Sequence, residues 1–343
     1  MIFSYRTRQI IKNIAVILLV ILLALTLVLG CWFVWLDRYV VYTRDGAVLD
    51  FGISMEFAPG VQAVRPEEED PVSIYYNEGE NTINTSTELT QMIGYYVDAA
   101  ALEEDIDAVR EQIKQLPSGT AVMVDVKNIY GNFFYSSSVS DKRNSNIDPA
   151  AMDSLIKLMQ SNELYAIARM PALRDYYYGL NHVPDGLPLP GGYLWMDADY
   201  CYWLNPASDG TMTYLAQTVV ELRNLGFDEV VLSDFYFPDE DDIVFNGDKE
   251  EAIAKAAETL VTACSTEKFA VSFVGRQPAF PLPEGRSRLY LQNVAAAEAA
   301  GVALQTGIED TAVNLVFFTD VHDTRFDVYS VLRPLSAAID IPR

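Results

Sequence analysis

Carboxylate and cationic side chains recur in this sequence where apolar, strand-like runs end. One acid that protonates a leaving oxygen, and a second that attacks or activates water, can together hydrolyse a glycosidic bond. Neighbouring charges separate the pKa values of two such acids, so that they hold different protonation states. The residues at these ends are Asp98, Asp125, Lys127, Arg169, Arg174, Asp175, Asp234 and Asp320. We predict that Asp125 and Asp234 are the acid and the nucleophile or base, without assigning which is which.

The competing interpretation of these acids is structural. Acidic residues are abundant in the chain, with 48 Asp and Glu against 24 Lys and Arg. An Asp that follows a strand can equally cap the next helix or face solvent. The choice depends on the elements that position each side chain.

Those elements alternate between strands and helices. Strand-like runs occupy 93–97, 120–126, 164–170, 228–233 and 269–274, with further strands expected at 302–305 and 313–318. Helical periodicity occupies 102–116, 149–160, 213–225 and 250–263, with Asp148 as an expected N-cap. Such alternation implies right-handed βαβ units around a parallel sheet. We predict a (β/α)8 barrel of the TIM type, with a doubly wound open sheet as the alternative, and a site at the strands' C-terminal ends.

A long aromatic loop follows the third strand. It contains Tyr176, Tyr177, Tyr178, Tyr193, Trp195, Tyr200, Tyr202 and Trp203. Aromatic faces commonly stack on the C–H faces of sugars, and loops frequently carry function. The alternative is that a long loop packs itself with its own aromatic side chains.

The N-terminal region predicts a membrane anchor. Residues 13–36 carry no charge and are long enough to span a bilayer. Arg6, Arg8 and Lys12 precede the stretch and indicate a cytoplasmic N-terminus. A cleaved signal peptide is the alternative, but no small-residue cleavage site is visible.

We therefore predict a single-pass protein of the cell membrane with an extracellular C-terminal domain. Its parts are a cytoplasmic tail at 1–12, a transmembrane helix at 13–36, a hairpin and linker at 37–90 and the barrel at 91–343. The hairpin turn is expected at Asp45-Gly46, because Asp-Gly between β-rich flanks favours a tight turn.

Composition limits the partners and the chemistry. The net charge of −24 disfavours nucleic acid, whose phosphates need Lys and Arg. We expect no cofactor and no metal, since the chain has two histidines and no phosphate-binding glycine-rich loop. Whether Cys201 and Cys264 pair is left open, because spacing alone does not determine it.

Several short motifs occur together in one order. They are Val124-Asp125-Val126-Lys127 with Gly131, Tyr165 to Arg169, Trp203-Leu204-Asn205-Pro206, and Gly226 to Val230 running to Phe237-Pro238. Together they resemble the glycoside hydrolase domain of bacterial surface proteins known as the DUF4015 type, over roughly residues 90–320. The resemblance implies a (β/α)8 barrel whose mouth is lined by Asp125, Lys127, Arg169, Trp203 and Asn205.

One segment departs from the family pattern. The family usually closes its fourth strand with Asp-Tyr-x-Arg-Phe-Pro, whereas this chain has Ser233-Asp234-Phe235-Tyr236 before Phe237-Pro238. Asp234 could take the place of the family's Asp if the chain were shifted by one residue, but neighbouring strand residues point to opposite faces. Either a bulge restores the direction of Asp234 or the site is altered.

The expected partner is a cell-wall or extracellular polysaccharide. We predict hydrolysis by the strand-end carboxylates, with the remaining site residues binding substrate. These residues are Lys127, Arg169, Asp175, Trp195, Trp203, Asn205 and Tyr236. The alternatives are a barrel that binds glycan without cleaving it, and a structural envelope protein.

Overall fold

The computed structural model describes residues 40–43, 46–49, 88–320 and 322–336. The chain divides into two units, residues 1–80 and 81–343. In the first unit, β1 (Val40–Thr43) and β2 (Gly46–Leu49) form the predicted antiparallel hairpin, but Gly46, which was expected in the turn, pairs with Thr43 at the start of β2. The predicted anchor at 13–36 lies outside the described residues. Within the described part of the chain, no helix is both long and apolar enough to span a membrane.

The second unit contains a closed barrel of parallel strands. Each strand pairs with the next along the chain, and the last pairs with the first, so the barrel has no open edge. Its strands are β3 (Ile93–Val97), β4 (Ala121–Asp125), β5 (Tyr165–Pro171), β6 (Glu229–Ser233), β7 (Ala270–Gly275), β8 (Leu289–Leu291), β9 (Leu315–Phe318) and β10 (Ser330–Pro334). This closure confirms the predicted barrel over the open sheet.

Helices connect the strands around the outside of the barrel. They are α1 (Ala99–Ile113), α2 (Pro149–Ser161), α3 (Tyr176–Asn181), α4 (Asp209–Asn224), α5 (Lys249–Cys264), α6 (Ala299–Thr306) and α7 (Thr311–Asn314), with 3₁₀ turns at Val183–Asp185 and Thr324–Phe326. Asp148 caps α2 as predicted, its carboxylate accepting a hydrogen bond from the amide of Ala150. Asp98 caps α1 in the same way, so this strand-end acid has a structural role.

The sequence prediction failed mainly in the last third of the barrel. The strand expected at 302–305 is wrong, because these residues lie in α6. Its neighbours are rich in alanine, which favours a helix over a strand. The short strands β8 and β10 were not predicted, since three to five residues give little periodic signal.

Side chains alternate between the barrel interior and the surrounding helices. Met123, Ile167, Val231, Val316 and Leu332 form one buried interior cluster. Because strand side chains have a period of two, the residue two positions after each of the first three points the same way, toward the mouth. Those residues are Asp125, Arg169 and Ser233.

A buried ion pair fills the opposite end of the interior. Arg288 Nη1 lies 2.5 Å from Glu229 Oε2, and both side chains are almost completely buried. The Glu229 carboxylate also accepts hydrogen bonds from Tyr165, Ser272 and Tyr290. Because these partners satisfy the charge, the pair can stay buried in the barrel without exposure to water.

Candidate active site at the barrel mouth

A cavity of about 400 Å³ opens where β5, β6, β7 and β8 end. Its wall is formed by Arg169, Ser233, Asp234, Tyr236, Val274, Gly275, Arg276, Gln292 and Asn293. The C-terminal face is where a barrel of this type places its site, because the loops that follow the strands meet there. The cavity therefore lies where the sequence predicted it.

Asp234 reaches this cavity through an unusual backbone conformation. β6 ends at Ser233, and Asp234 follows with φ of 49°, in the left-handed region. Non-glycine residues seldom adopt this conformation, although Asp tolerates it better than most. The turn lets Ser233 and Asp234 line the same cavity, while Phe235 is fully buried against Phe273.

The environment of Asp234 favours its protonated form. Burial raises the pKa of this carboxyl above its ordinary value, and the charges of Arg174 and Arg169 and a hydrogen bond from Ser233 oppose the rise only in part. The Ser233 hydroxyl lies 3.2 Å from Asp234 Oδ2. A carboxyl with a raised pKa keeps its proton to a higher pH than an exposed one, which suits it to protonate a leaving oxygen.

Asp125 lies one contact behind the cavity wall. Its two oxygens form a bidentate pair with Arg169, at 2.5 Å from Nε and 2.8 Å from Nη2. The amide of Ala99 donates a further hydrogen bond of 2.9 Å to Oδ2. The pair fixes the guanidinium of Arg169, which lines the cavity. Both oxygens of Asp125 are engaged by these contacts, so neither is free to face the cavity.

The same pair keeps Arg169 charged. Burial alone would lower the pKa of the guanidinium, but the hydrogen bonds and charge of Asp125 outweigh it and raise the pKa, with Asp98 and Asp234 adding to the effect. Arg169 is therefore a fixed cation beside Asp234.

Trp203, Trp195 and Tyr236 form an aromatic wall beside the cavity. The rings of Trp203 and Tyr236 lie 4.8 Å apart, and Trp195 lies 6.1 Å from Trp203. Tyr236 lines the cavity, whereas Trp203 is buried behind it with 3% exposure. Of the predicted aromatic residues, Tyr236 is therefore the one placed to contact a ligand directly.

Asp197 holds this wall to the loop that carries it. Its Oδ2 accepts hydrogen bonds from Trp203 Nε1 at 2.8 Å and from Arg174 Nε at 2.5 Å. Burial would raise the pKa of Asp197, but the hydrogen bonds from Arg174 and Trp203 outweigh it and lower the pKa. Asp197 is consequently a fixed anion that orients Trp203 and Arg174.

The other predicted binding residues lie away from the cavity. Lys127 Nζ pairs with Asp175 Oδ2 at 2.7 Å, and neither side chain has any exposed surface. Tyr214 donates a hydrogen bond to the same carboxylate at 2.8 Å. Asn205 accepts a hydrogen bond from the amide of Ala207 in the turn before α4. The structure gives these side chains contacts that hold the loops together.

Sequence reasoning missed three polar residues of the cavity. Arg276 follows β7, and Gln292 and Asn293 follow β8. The short β8 gave no reason to expect a strand end there. Asn293 has φ of 58°, a conformation that Asn adopts more readily than most residues. The preference of Asn for such turn conformations is the one feature of the sequence that could have indicated a strand end here.

A second and larger cavity, of about 600 Å³, lies between α3 and the start of α4. None of the predicted site residues lines it. The ring of Tyr178 is stacked between His182 and Tyr214, at 4.0 and 4.1 Å, so its two faces are already covered.

The family described as "Putative glycosyl hydrolase domain" (DUF4015) matches residues 94–269. This is just over half of the 343-residue chain. The chain belongs to the DUF4015 family. The match contains Asp125, Arg169, Asp234 and Tyr236, and it ends before β7, so Arg276 and the residues after β8 lie outside it.

Solved glycoside hydrolases share the fold of this DUF4015 chain. An α-galactosidase from Lactobacillus brevis aligns at a TM-score of 0.51 with 9% identity, over 75% of this chain and 39% of that one. An inactive mutant of the family 20 exo-β-N-acetylglucosaminidase from Vibrio harveyi aligns at 0.50 with 8% identity, over 72% and 50%. This chain therefore spans half or less of those hydrolases, and the likeness shows the barrel fold alone.

One shorter solved structure aligns over nearly its whole length. A hypothetical protein from Ruminiclostridium thermocellum is 19% identical and aligns at a TM-score of 0.45, over 52% of this chain and 96% of that one. No curated protein matches the chain.

Proposed function

We propose that the barrel mouth binds a glycan and hydrolyses a glycosidic bond, with Asp234 as the proton donor. The observation that carries the proposal is the Asp234 carboxyl, turned into the cavity by its left-handed backbone and held in surroundings that favour its proton. Membership of the DUF4015 family supports the same chemistry. The substrate class is a cell-wall or extracellular polysaccharide.

Asp125 is the proposed second carboxylate. A nucleophile or base needs a free oxygen, and both oxygens of Asp125 are held by Arg169. Substrate binding would have to draw Arg169 toward a sugar hydroxyl and so release one of them. Otherwise Asp125 acts as the positioning residue that keeps Arg169 directed at the cavity.

The test uses the full-length chain in detergent with a panel of bacterial wall and plant polysaccharides, and measures new reducing ends. Loss of a general acid lowers the rate about 10²- to 10⁴-fold, so we expect Asp234→Asn to lose activity on this scale. Asp241→Asn changes an exposed acid of the β6–α5 loop and serves as the matched control. Unchanged hydrolysis by Asp234→Asn would show that Asp234 is not the donor.

A second candidate function is glycan binding without cleavage. It is favoured by the engagement of Asp125, because Asp234 is then the one carboxyl group among the described residues that lines the cavity, whereas glycoside hydrolysis uses two. This candidate predicts saturable binding that Tyr236→Ala weakens, with no product from any polysaccharide. Product formation by the wild-type chain would exclude it.

We further propose that the barrel is held at the outer surface of the cell membrane. The support is the uncharged segment at 13–36 with Arg6, Arg8 and Lys12 before it. Protease added to intact cells should then digest the barrel. Full protection of the barrel until the cells are lysed would contradict this orientation.

A further inference from the structure

Arg276 is a cation at the barrel mouth that has no hydrogen-bond or ion-pair partner among the described residues. It lines the cavity directly after β7, and its side chain is exposed. Its guanidinium carbon lies 5.1 Å from the centre of the Tyr236 ring. Within the part of the chain that the structure describes, no carboxylate or carbonyl oxygen accepts a hydrogen bond from Arg276. Its five N–H donors are therefore available to a ligand.

The other two arginines near Asp234 are fully engaged. Arg169 is paired with Asp125, and Arg174 donates to both Asp197 and Asp199, at 2.5 Å each. Arg276 differs from both, although the chain carries twice as many acidic as basic residues. Arg143 and Arg223 also lack a carboxylate partner, but they donate to backbone carbonyls, whereas no acceptor for Arg276 lies among the described residues.

The aromatic wall holds the Arg276 guanidinium at the cavity. A guanidinium placed over a ring gains a cation–π attraction and keeps its N–H groups in its own plane for another partner. Tyr236 is itself fixed by Trp203, whose ring lies 4.8 Å away. The cation is thus partly ordered before a ligand arrives, which lowers the entropy cost of binding.

Most of the charged side chains around the cavity are paired within the protein. Asp125 compensates Arg169, and Asp197 and Asp199 compensate Arg174. Burial raises the pKa of Asp234, so its carboxyl gives up its proton less readily than an exposed one. Among the described residues, Arg276 forms no ion pair, and it lies beside the neutral amides of Gln292 and Asn293 in the cavity wall.

We infer that the glycan bound at the barrel mouth carries a carboxylate group, as in a uronic acid, and that Arg276 binds this carboxylate. A planar carboxylate matches the guanidinium in a bidentate pair, which is stronger than a hydrogen bond between neutral groups. Gln292 and Asn293 would bind neighbouring hydroxyl groups. The inference rests on the proposed function, since it names the substrate class of the same cavity.

The net charge of the protein does not oppose this assignment at close range. A net charge of −24 repels a polyanion at long distance. At physiological ionic strength, however, charges are screened beyond about 8 Å, so the nearest groups dominate within the cavity. The repulsion lowers the association rate more than it changes the contact with Arg276.

The test compares acidic polysaccharides with their carboxyl-reduced forms, which keep the sugar stereochemistry and lose the charge. Polygalacturonate, alginate and hyaluronan are immobilised in both forms, and binding of the full-length chain in detergent is measured. One charge-assisted pair corresponds to about a tenfold change in affinity. We expect at least this loss on carboxyl reduction, and a similar loss for Arg276→Gln on the native polymers only.

Two further variants complete the design. Arg276→Lys keeps the positive charge but lacks the planar guanidinium that can bind a carboxylate with two hydrogen bonds, and it should bind with intermediate affinity. Arg110→Gln removes a charge from the last turn of α1, where Arg110 pairs with Asp107 and does not line the cavity, and should bind like the wild type. Equal binding of native and reduced polymers, an Arg276→Gln variant that binds like the wild type, or no binding to any acidic polymer would overturn the inference. Stronger binding to dextran sulfate than to the uronates would overturn the carboxylate assignment.

Reducing ends measured on the same samples separate this inference from the proposed function. Carboxylate-dependent binding without product would support the role of Arg276 and contradict hydrolysis. Cleavage of a uronate polysaccharide at an equal rate by Arg276→Gln and the wild type would support hydrolysis and contradict the role of Arg276.

Discussion

Ser233 and Asp234 are neighbours in sequence and both line the cavity at the end of β6. In a regular strand they would point to opposite faces. The φ of 49° at Asp234 ends the strand and turns its carboxyl toward the side that Ser233 already faces. The acid is thus displaced by one residue from the family's usual position, and a left-handed residue rather than a bulge brings it to the cavity.

This conformation predicts a conflict between stability and activity at Asp234. Glycine adopts a left-handed conformation without the steric cost that a Cβ introduces, so Asp234→Gly should raise the free energy of unfolding by about 1 kcal/mol. The same variant should lose hydrolytic activity. Urea unfolding monitored by tryptophan fluorescence measures the first effect. Asp241→Gly, where φ is not positive, is the control and should be no more stable than the wild type.

The Asp125–Arg169 pair predicts a strong dependence of each residue on the other. Arg169→Met leaves the Asp125 carboxylate largely buried without its partner, and should lower the free energy of unfolding by about 3 kcal/mol. The double variant Asp125→Asn with Arg169→Met should recover part of this loss, because no unpaired charge remains. Additive losses in the double-mutant cycle would contradict the coupling.

The raised pKa of Asp234 predicts a stability change with pH. Its folded pKa lies above its ordinary value of 3.8, so the folded state binds the proton more tightly than the unfolded state. The stabilising contribution is fully present below that ordinary value and is lost as the pH rises through the folded pKa. The stability of the wild type relative to Asp234→Asn should therefore fall from pH 4 upward. A constant or rising difference would contradict the raised pKa.

Glu221 on α4 should show the opposite dependence. It accepts hydrogen bonds from Tyr135 at 2.8 Å and from the hydroxyls of Ser137 and Ser138 at 2.6 Å each. Burial would raise the pKa of Glu221, but these hydrogen bonds outweigh it and lower the pKa below its ordinary value of 4.5. Its stabilisation is therefore present above that value and lost as the pH falls through the lowered pKa.

Glu221→Gln measures this contribution. Because the carboxylate is partly exposed, we expect a loss of about 1–2 kcal/mol at pH 7 after allowing for solvent screening. The free energy of unfolding of the wild type minus that of Glu221→Gln should shrink on acidification. The same difference for Asp234→Asn should grow. Chemical unfolding of both variants across one pH series provides the comparison.

The sequence by itself determined the repeating elements and the end of the barrel that carries the site. Period-two apolar runs and helical periodicity are local properties, so β3 to β7 and the helices α1, α2, α4 and α5 were predicted with small errors at their ends, whereas α3 was expected to be loop. Acids at the ends of these strands followed from the same pattern. The prediction was least accurate around β8, and the reason is again local, because a strand of only three residues gives little periodic signal.

Only the tertiary structure decided which of these acids and cations face the cavity. Asp125 meets Arg169 because β4 and β5 are adjacent in the closed barrel, and that pair takes both of its oxygens. Lys127 meets Asp175 from a distant loop, and both become buried. Ionic partners come from separate strands and loops, so their pairing depends on chain closure and not on local spacing. The partner that each charge finds in space decides whether it stabilises the fold or remains available to a ligand.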